Sequence, residues 1–462
     1  MTPKPRNLLL VMVDDLNLAL ACYGHPAVHT PNLDRLAARG LRFERAFCPY
    51  PLCGPSRSAL LTGQRPEAIP MPNNEVSWRE RQPDVKSLPE IARGLGYHTE
   101  RIGKVFHHGV RGGDSVDHQA QGFRLPHTHS DPESFVHEWG DAPGIYETQA
   151  EGPEQLIDGP AHGGTALHTI RATNPEVLPD SRVADRAEAF LRGHDPETPF
   201  FLCAGFYKPH VPFVAPEKCW AHYDRLEIES LVPPTWYEAA EVPTGTLKQE
   251  RRFHRGASKE QRRHLYQGYL ACVSFMDEQL GRVLDALDAA GRADDTLVAF
   301  VADHGYHIGE QAQWDKMMLL DPSLQIPMIL AGPGIPCGET CGAVIESLDL
   351  FPTLARLMGW PVGEACDGKD LGEWIADPQC ASVAPAFAWV QAGSREGWTI
   401  RTETHRYGLM KAEGAEPKPF LFDVSSDPHE SRNLAGSPEQ TELQDVLDTR
   451  LREHFRASQP IR

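Results

Sequence analysis

No apolar run in this chain reaches membrane length; the stretch nearest the start, LLLVMV, is six residues long and ends in Asp14-Asp15. It is too short for a bilayer span or for the apolar part of an export signal, so a cytoplasmic location and no membrane partner are expected. A stripe dense in lysine and arginine is missing as well: 45 basic residues stand against 64 acidic ones, a net charge of −19. Neutralising a nucleic-acid backbone needs a basic face, so no nucleic-acid partner is expected. An anionic small molecule stays possible, because a local cationic pocket can sit inside an acidic surface. The ten cysteines lack the paired spacing of a metal site and read as reduced thiols; Cys337 and Cys341, in PCGETCG, form the one local pair that could bridge. Internal repeats and low-complexity tracts are absent too.

What the sequence does hold is an alternation of short apolar runs with amphipathic helical stretches over 462 residues, which reads as an α/β fold. The candidate strands are Leu8 to Val13, Phe200 to Phe206, Leu297 to Ala302 and Pro327 to Ala331. Thr30-Pro31 reads as a helix start with a capping residue and a proline at the first helical position, closed by Gly40. From Lys259 to Ala290 a helical stripe runs through Leu265, Tyr269, Cys272, Phe275, Leu280, Val283 and Leu287. Residues from about 108 to 165 hold no period, as in a functional loop or a surface excursion. After GKDLGEWIADP the pattern turns to short runs, AFAWVQ, GWTIRT, RYGLMK and FLFDV, then a helical TELQDVLDTRLREHF. That reads as a smaller C-terminal antiparallel sheet with a helix, with the boundary near residue 370, a catalytic domain over 1–370 and a C-terminal α+β subdomain over 371–462.

Three candidate strands run into polar clusters: Asp14-Asp15, Asp303-His304 and Tyr207-Lys208-Pro209-His210. In an open α/β sheet, ligands bind beyond the carboxyl ends of strands, so these clusters converge on one crevice and make an oxygen-rich cation site. An aspartate after a strand is also a common cap or turn residue. In PLCGPSRS, Pro55 suits the first position of a helix that runs to a terminating glycine, placing Cys53 at the helix N-terminus. There the dipole lowers a thiol pKa or holds an anion, and Arg57 adds a cation. By spacing alone, a small buried cysteine beside a cap reads equally well.

Cys53-Gly54-Pro55-Ser56-Arg57 followed by LLTGQRP resembles the signature of type I sulfatases, C-x-P-S-R-x-x-x-L-T-G. The resemblance extends over most of the chain, through DDLNLALACYG, TPNLDRLAARGLRFERAF, RIGKVFHHG, FYKPHVPF, FVADHGYHIGE, WDK, SLDLFPTLARLMG and LFDVSSDPHESRNLA in family order. GKVFH, YKPHVPF and DHG-x-x-x-GE-x-x-x-WDK are most similar to the iduronate-2-sulfatase subgroup. The resemblance implies an alkaline-phosphatase-like fold, a large mixed β-sheet flanked by helices. It also implies that a maturation enzyme oxidises Cys53 to formylglycine, an aldehyde whose hydrate is the nucleophile. Asp14, Asp15, Asp303 and His304, with the modified Cys53, would hold one divalent cation. Many relatives have asparagine where His304 stands; calcium is the first choice, with manganese or magnesium open.

Arg57 and Lys104 would stabilise the hydrated aldehyde and the sulfate oxygens. His107 matches the histidine that hydrogen-bonds the formylglycine hydroxyl, but it lies three residues after Lys104 where many relatives have two, so His108 is the fallback. His210 and Lys316 match the pair facing the leaving oxygen, and Lys208 lies beside them. Asp303 would be the base, and His210 would protonate the departing alkoxide. Trp78-Arg79, in NNEVSWRE, could contact a substrate carboxylate through arginine's bidentate fork, or be surface residues. The expected activity is removal of sulfate from a sulfated sugar, with a 2-O-sulfated uronate the substrate that the subgroup suggests. A phosphonate or phosphate mono- or diester hydrolase with the same nucleophile, an aryl or alkyl sulfatase, and a silent metal-binding protein with unconverted Cys53 are the alternatives.

Overall fold

The four apolar runs are four neighbouring strands at the centre of one eight-stranded sheet: Gln325–Ala331, Thr296–Ala302, Asn7–Val13 and Phe200–Phe206. The computed structural model describes residues 5–107, 135–139, 155–156, 168–227, 231, 242–243, 246, 258–363, 366–381 and 384–456. Most of the irregular stretch near 108–165 lies outside these residues, as does His108. Leu8 through Val13 are each 0% exposed, the pattern of strands covered on both faces, and each such side chain contributes roughly 1.5–3 kcal/mol on burial.

Gly40–Phe47 and His98–Gly103 extend the sheet on either side, and Glu339–Glu346 and His137–Trp139 form its edges. Periodicity does not reveal the two flanking strands, because Arg42, Glu44 and Arg45 interrupt one and His98, Glu100 and Arg101 the other. Of the eight strands only Gln325–Ala331 runs against the rest. The seven others therefore deliver their carboxyl ends to one edge. Val13 is level with Phe206 and Ala302, so Asp14, Tyr207 and Asp303 leave the sheet side by side. Gly103, at φ +77°, and Gly205 press together where a Cβ on either would sit about 2 Å from backbone oxygen; only glycine permits that approach, and it brings Lys104 N–H onto the Gly205 carbonyl at 3.0 Å.

The long helix Lys259–Ala289 opens on a Ser258/Gln261 capping box. Its Asp277 carboxylate accepts the Asn32 and Leu33 amides at 3.0 and 2.7 Å, capping the Pro31–Ala38 helix from outside. Thr30, read from the sequence as that cap, instead accepts the Ala21 amide. The helix ends at Arg39, and Gly40 opens the next strand, because its missing Cβ lets it lie against the Leu330 carbonyl.

The C-terminal sheet is a four-stranded antiparallel meander, Ala386–Ala392, Arg395–Arg401, His405–Lys411 and Lys418–Asp423, covered by the Thr441–Phe455 helix through Leu447, Leu451 and Phe455. Tyr50 and Met317 from the larger part join its core beside Trp389 and Trp398. All ten cysteines are unpaired, Cys337 and Cys341 included. No helix among the described residues is long and apolar enough to cross a membrane.

Candidate active site

Cys53 opens the helix Cys53–Thr62, all ten residues of which are buried. The helix begins two residues earlier than its proline suggests, so Pro55 is its third residue. Two of the first-turn donors are already accounted for: Pro55 has none, and the Gly54 amide donates to Asn74 Oδ1 at 2.8 Å. The thiol is not acidified, contrary to the sequence expectation. Burial and then the Asp14 carboxylate push the Cys53 pKa up to about 12, outweighing the helix dipole. As a thiol, Cys53 is a poor nucleophile here.

Around Cys53 the strand ends assemble a ring of buried charges. Asp14, Cys53, Asp303 and His304 present one ligand atom each within 4.8 Å of one another, and Asp15, Cys53 and His210 do the same. His304 Nδ1–H donates to the Gly305 carbonyl at 2.8 Å, which leaves the Nε2 lone pair facing the ring, 3.3 Å from Cys53 Sγ and 3.4 Å from Asp15 Oδ1. Asp15 Oδ2 is buried with no hydrogen-bond partner among the described residues. Three carboxylates, an oriented imidazole and an unsatisfied buried oxygen fit a divalent cation.

The cations divide between holding the ring and facing it. Arg57 donates to Asp303 Oδ2 at 2.8 Å, to the Lys104 carbonyl at 2.6 Å and to Asp14 Oδ1 at 3.4 Å, so its guanidinium braces the ring's carboxylates. Lys104 Nζ reaches Asp14 Oδ2 at 2.5 Å. Burial alone would raise the Asp14 pKa, but Lys104, His210 and Arg57 hold it well below the usual carboxylate range. Lys316 Nζ bridges Asp15 Oδ1 at 2.5 Å and Cys53 Sγ at 3.3 Å; burial opposes its charge, yet Asp15 and Cys53 lift its pKa well above the ordinary lysine value. His210 Nε2 lies 3.8 Å from Asp15 Oδ2, its pKa lowered by burial. His107 is buried on the turn beyond Lys104.

Three expected contact residues are engaged elsewhere. Lys208 Nζ donates to the His210 and Pro212 carbonyls at 2.9 and 2.6 Å. Arg79 pairs with Glu90 at 2.8 Å and lies over the Trp78 ring, while Trp78, 2% exposed, stacks on Phe106. Trp78 and Arg79 are thus buried residues with internal contacts, not the surface residues that the local sequence also allowed.

Tyr269, read from the sequence only as part of a helical stripe, reaches the site from the long helix. Its hydroxyl donates to the Asp15 carbonyl at 2.8 Å and accepts the Asn17 amide at 2.9 Å. It thereby clamps Asp15, a non-glycine residue at φ +60°, a conformation that persists only where neighbours over-determine it. Ser56, whose hydroxyl donates to the Asp303 carbonyl, holds a second ring member. The signature marks Ser56 but not what it holds, and no spacing marks Tyr269, because each acts through a partner more than 240 positions away.

The mixed eight-stranded sheet and the C-terminal meander are the alkaline-phosphatase-like α/β fold that the resemblance implies, and solved structures superpose on it over nearly the whole chain. Residues 6–360 match the sulfatase family, and residues 309–457 match the family described as N-sulphoglucosamine sulphohydrolase, C-terminal. The chain is 32% identical over 459 residues to a sulfatase of Formosa agariphila, covering 94% of this chain and 83% of that protein. It is 30% identical over 545 residues to human iduronate 2-sulfatase, covering 96% and 94%. A protein solved in complex with its substrate D-glucosamine-2-N,6-O-disulfate superposes with a TM-score of 0.77 at 22% identity, covering 98% of each chain. This chain belongs to the sulfatase family, whose members are sulfuric ester hydrolases.

Proposed function

We propose that the protein removes sulfate from a sulfated saccharide, a 2-O-sulfated uronate in first place, with a formylglycine generated from Cys53 by a separate maturation enzyme. One observation carries this reading: the Cys53 side chain is enclosed by Asp14, Asp15, Asp303, His304 and Lys316, yet burial leaves its thiol protonated. Groups of opposite charge gathered around an inert thiol make sense when residue 53 is another chemical species. Converted to formylglycine, it would supply a hydrated aldehyde with one hydroxyl to attack sulfur and a second whose deprotonation expels sulfate. A divalent cation held by Asp14, Asp15, Asp303, His304 and residue 53, calcium first with manganese or magnesium open, would supply fixed positive charge against the sulfate oxygens.

The chain's own groups divide the remaining work. Lys104 and Lys316 bring positive charge to the ring from two sides, where charge develops on the transferring group. Arg57 keeps Asp14 and Asp303 in place. Asp303, oriented by Arg57, by the Asp15 amide and by the His304 amide, is the proposed acceptor of the attacking hydroxyl's proton. His210 Nδ1–H is fixed on the Val211 carbonyl at 2.7 Å, so in the protonated imidazolium form Nε2–H is the group that gives a proton to the departing alkoxide and is left with its lone pair. The ten unpaired thiols suit a reducing compartment, and we place the protein in the cytoplasm on that ground.

The mass of the peptide containing residue 53 tests the nucleophile, since conversion replaces the thiol by an aldehyde and an unmodified cysteine in active protein would sink the mechanism. A rate comparison between a sulfate ester and a phosphonate ester of the same leaving group tests the bond broken, and preference for the phosphonate would overturn the substrate class. Desulfation of a 2-O-sulfated uronate disaccharide against a 6-O-sulfated glucosamine tests the sugar.

A further inference from the structure

The segment Tyr207–Pro212, between the strands Phe200–Phe206 and Phe213–Pro216, carries His210 to the ring. Two charged side chains enclose it, neither of them facing the ring. Asp180, in the first turn of the Pro179–Gly193 helix and 0% exposed, accepts the Tyr207 amide at 2.8 Å on one carboxylate oxygen and the Lys208 amide at 2.9 Å on the other. Lys208, 8% exposed, turns its ammonium inward onto the His210 and Pro212 carbonyls. The His210 amide donates to the Tyr207 carbonyl at 2.9 Å, and its ring Nδ1–H donates to the Val211 carbonyl. An anion holds the backbone donors at the start of the segment, and a cation holds the acceptors at its end. Between them the imidazole can rotate little, and its Nε2 is directed at Asp15, 3.8 Å from Oδ2.

Charged groups are seldom buried for backbone hydrogen bonds alone, since a neutral amide or hydroxyl would serve with a smaller desolvation cost. The gain specific to this pair is rigidity, because charge-assisted hydrogen bonds are shorter and roughly twice as strong as neutral ones. We propose that Asp180 and Lys208 are positioning residues that jointly fix the direction of His210, and that Lys208 does not contact substrate. This rests on the reading of His210 as the acid for the leaving oxygen.

The two ideas separate in one experiment. A series of phenyl sulfates of graded leaving-group acidity is turned over by the wild type, His210→Gln, Lys208→Met, Lys208→Arg and Asp180→Asn, with thermal melting on each. A leaving group that departs unaided needs no proton, so loss of the acid is felt least for 4-nitrophenyl sulfate and most for the least acidic phenol. The expected result is that Lys208→Met follows His210→Gln: kcat falls about tenfold or more for the least acidic phenol and within about twofold for 4-nitrophenyl sulfate, with KM unchanged. Lys208→Arg, which keeps the charge and the donors, recovers part of the loss. Asp180→Asn, which offers one acceptor to two amides, shows the same slope and covers the case in which Lys208→Met melts too low to assay. An equal loss across the series, or a rise in KM, overturns the positioning role. A flat series for His210→Gln itself overturns the reading of His210 instead.

Discussion

At the seam between the two sheets, Asp321 and Glu430 are enclosed by Arg401 and Arg406: Arg401 meets Asp321 at 3.2 Å, Arg406 bonds both acids, and Glu430 accepts the Asp321 amide at 2.6 Å. At the carboxyl edge of the large sheet, Asp14, Asp15 and Asp303 are met by Arg57, Lys104 and Lys316. Both clusters are buried, yet they differ in completeness. Each carboxylate oxygen at the seam has a donor, whereas Asp15 Oδ2 at the strand ends has none among the described residues and the His304 lone pair points into the same space. A closed network fixes how two sheets meet. An open one keeps a valence for something that arrives later, and incompleteness of this kind, rather than buried charge as such, marks the reactive site.

The largest effect that would sharpen this contrast is expected at the open cluster. Cys53→Ser should lower turnover at least about a thousandfold, because a serine can take up the sulfuryl group but has no second hydroxyl to expel it. Melting temperature should hardly move, and retained turnover would break the comparison. At the closed cluster the loss falls on stability instead of turnover. Arg406→Met leaves Asp321 and Glu430 short of a partner and should cost about 3–5 kcal/mol in urea unfolding, while kcat of the remaining folded protein stays within about twofold.

Tyr269→Phe lies between the two, since it removes the hydroxyl that holds the Asp15 carbonyl and the Asn17 amide without touching the ring. A loss of about 1–3 kcal/mol is expected; calorimetric titration with calcium should show it as weaker cation binding, and unchanged affinity would mean that Asp15 holds its left-handed backbone unaided. The smallest effect belongs to Arg79→Ala, expected to cost about 1–2 kcal/mol of stability from its ion pair and its stacking on Trp78. KM for every substrate should stay the same, and a raised KM would return Arg79 to the substrate.

Much of this architecture is legible in the chain because its central strands are covered on both faces and so are written as unbroken apolar runs. LLLVMV and FFLCAGF can hardly be anything else. The polar strands beside them escape that reading, since Arg101 is buried, and Arg42 and Arg45 half-buried, only through partners supplied by the fold. In the site, Asp14, Asp15, Asp303 and His304 are visible as residues that follow a strand, and the GPSR run makes Cys53 noticeable. The same local logic does not give the contacts of three side chains. Lys208, Trp78 and Arg79 stand near the motif in sequence, and proximity along the chain does not reveal which way a long side chain turns.

From the sequence alone come the α/β class, the family resemblance, the strand-end carboxylates and the cysteine at the start of a helix, because each is a property of a few consecutive residues. Tertiary structure alone decided what those residues touch. It aligned Val13 with Phe206 and Ala302, pinned Asp15 through Tyr269 from a helix far along the chain, and assigned Arg57 to its neighbours' carboxylates. It also raised the Cys53 thiol where a helix N-terminus alone would have lowered it. The physical reason is common to all four: hydrogen bonding, desolvation and Coulomb attraction depend on distances in space, and strand register and helix packing set those distances over hundreds of positions.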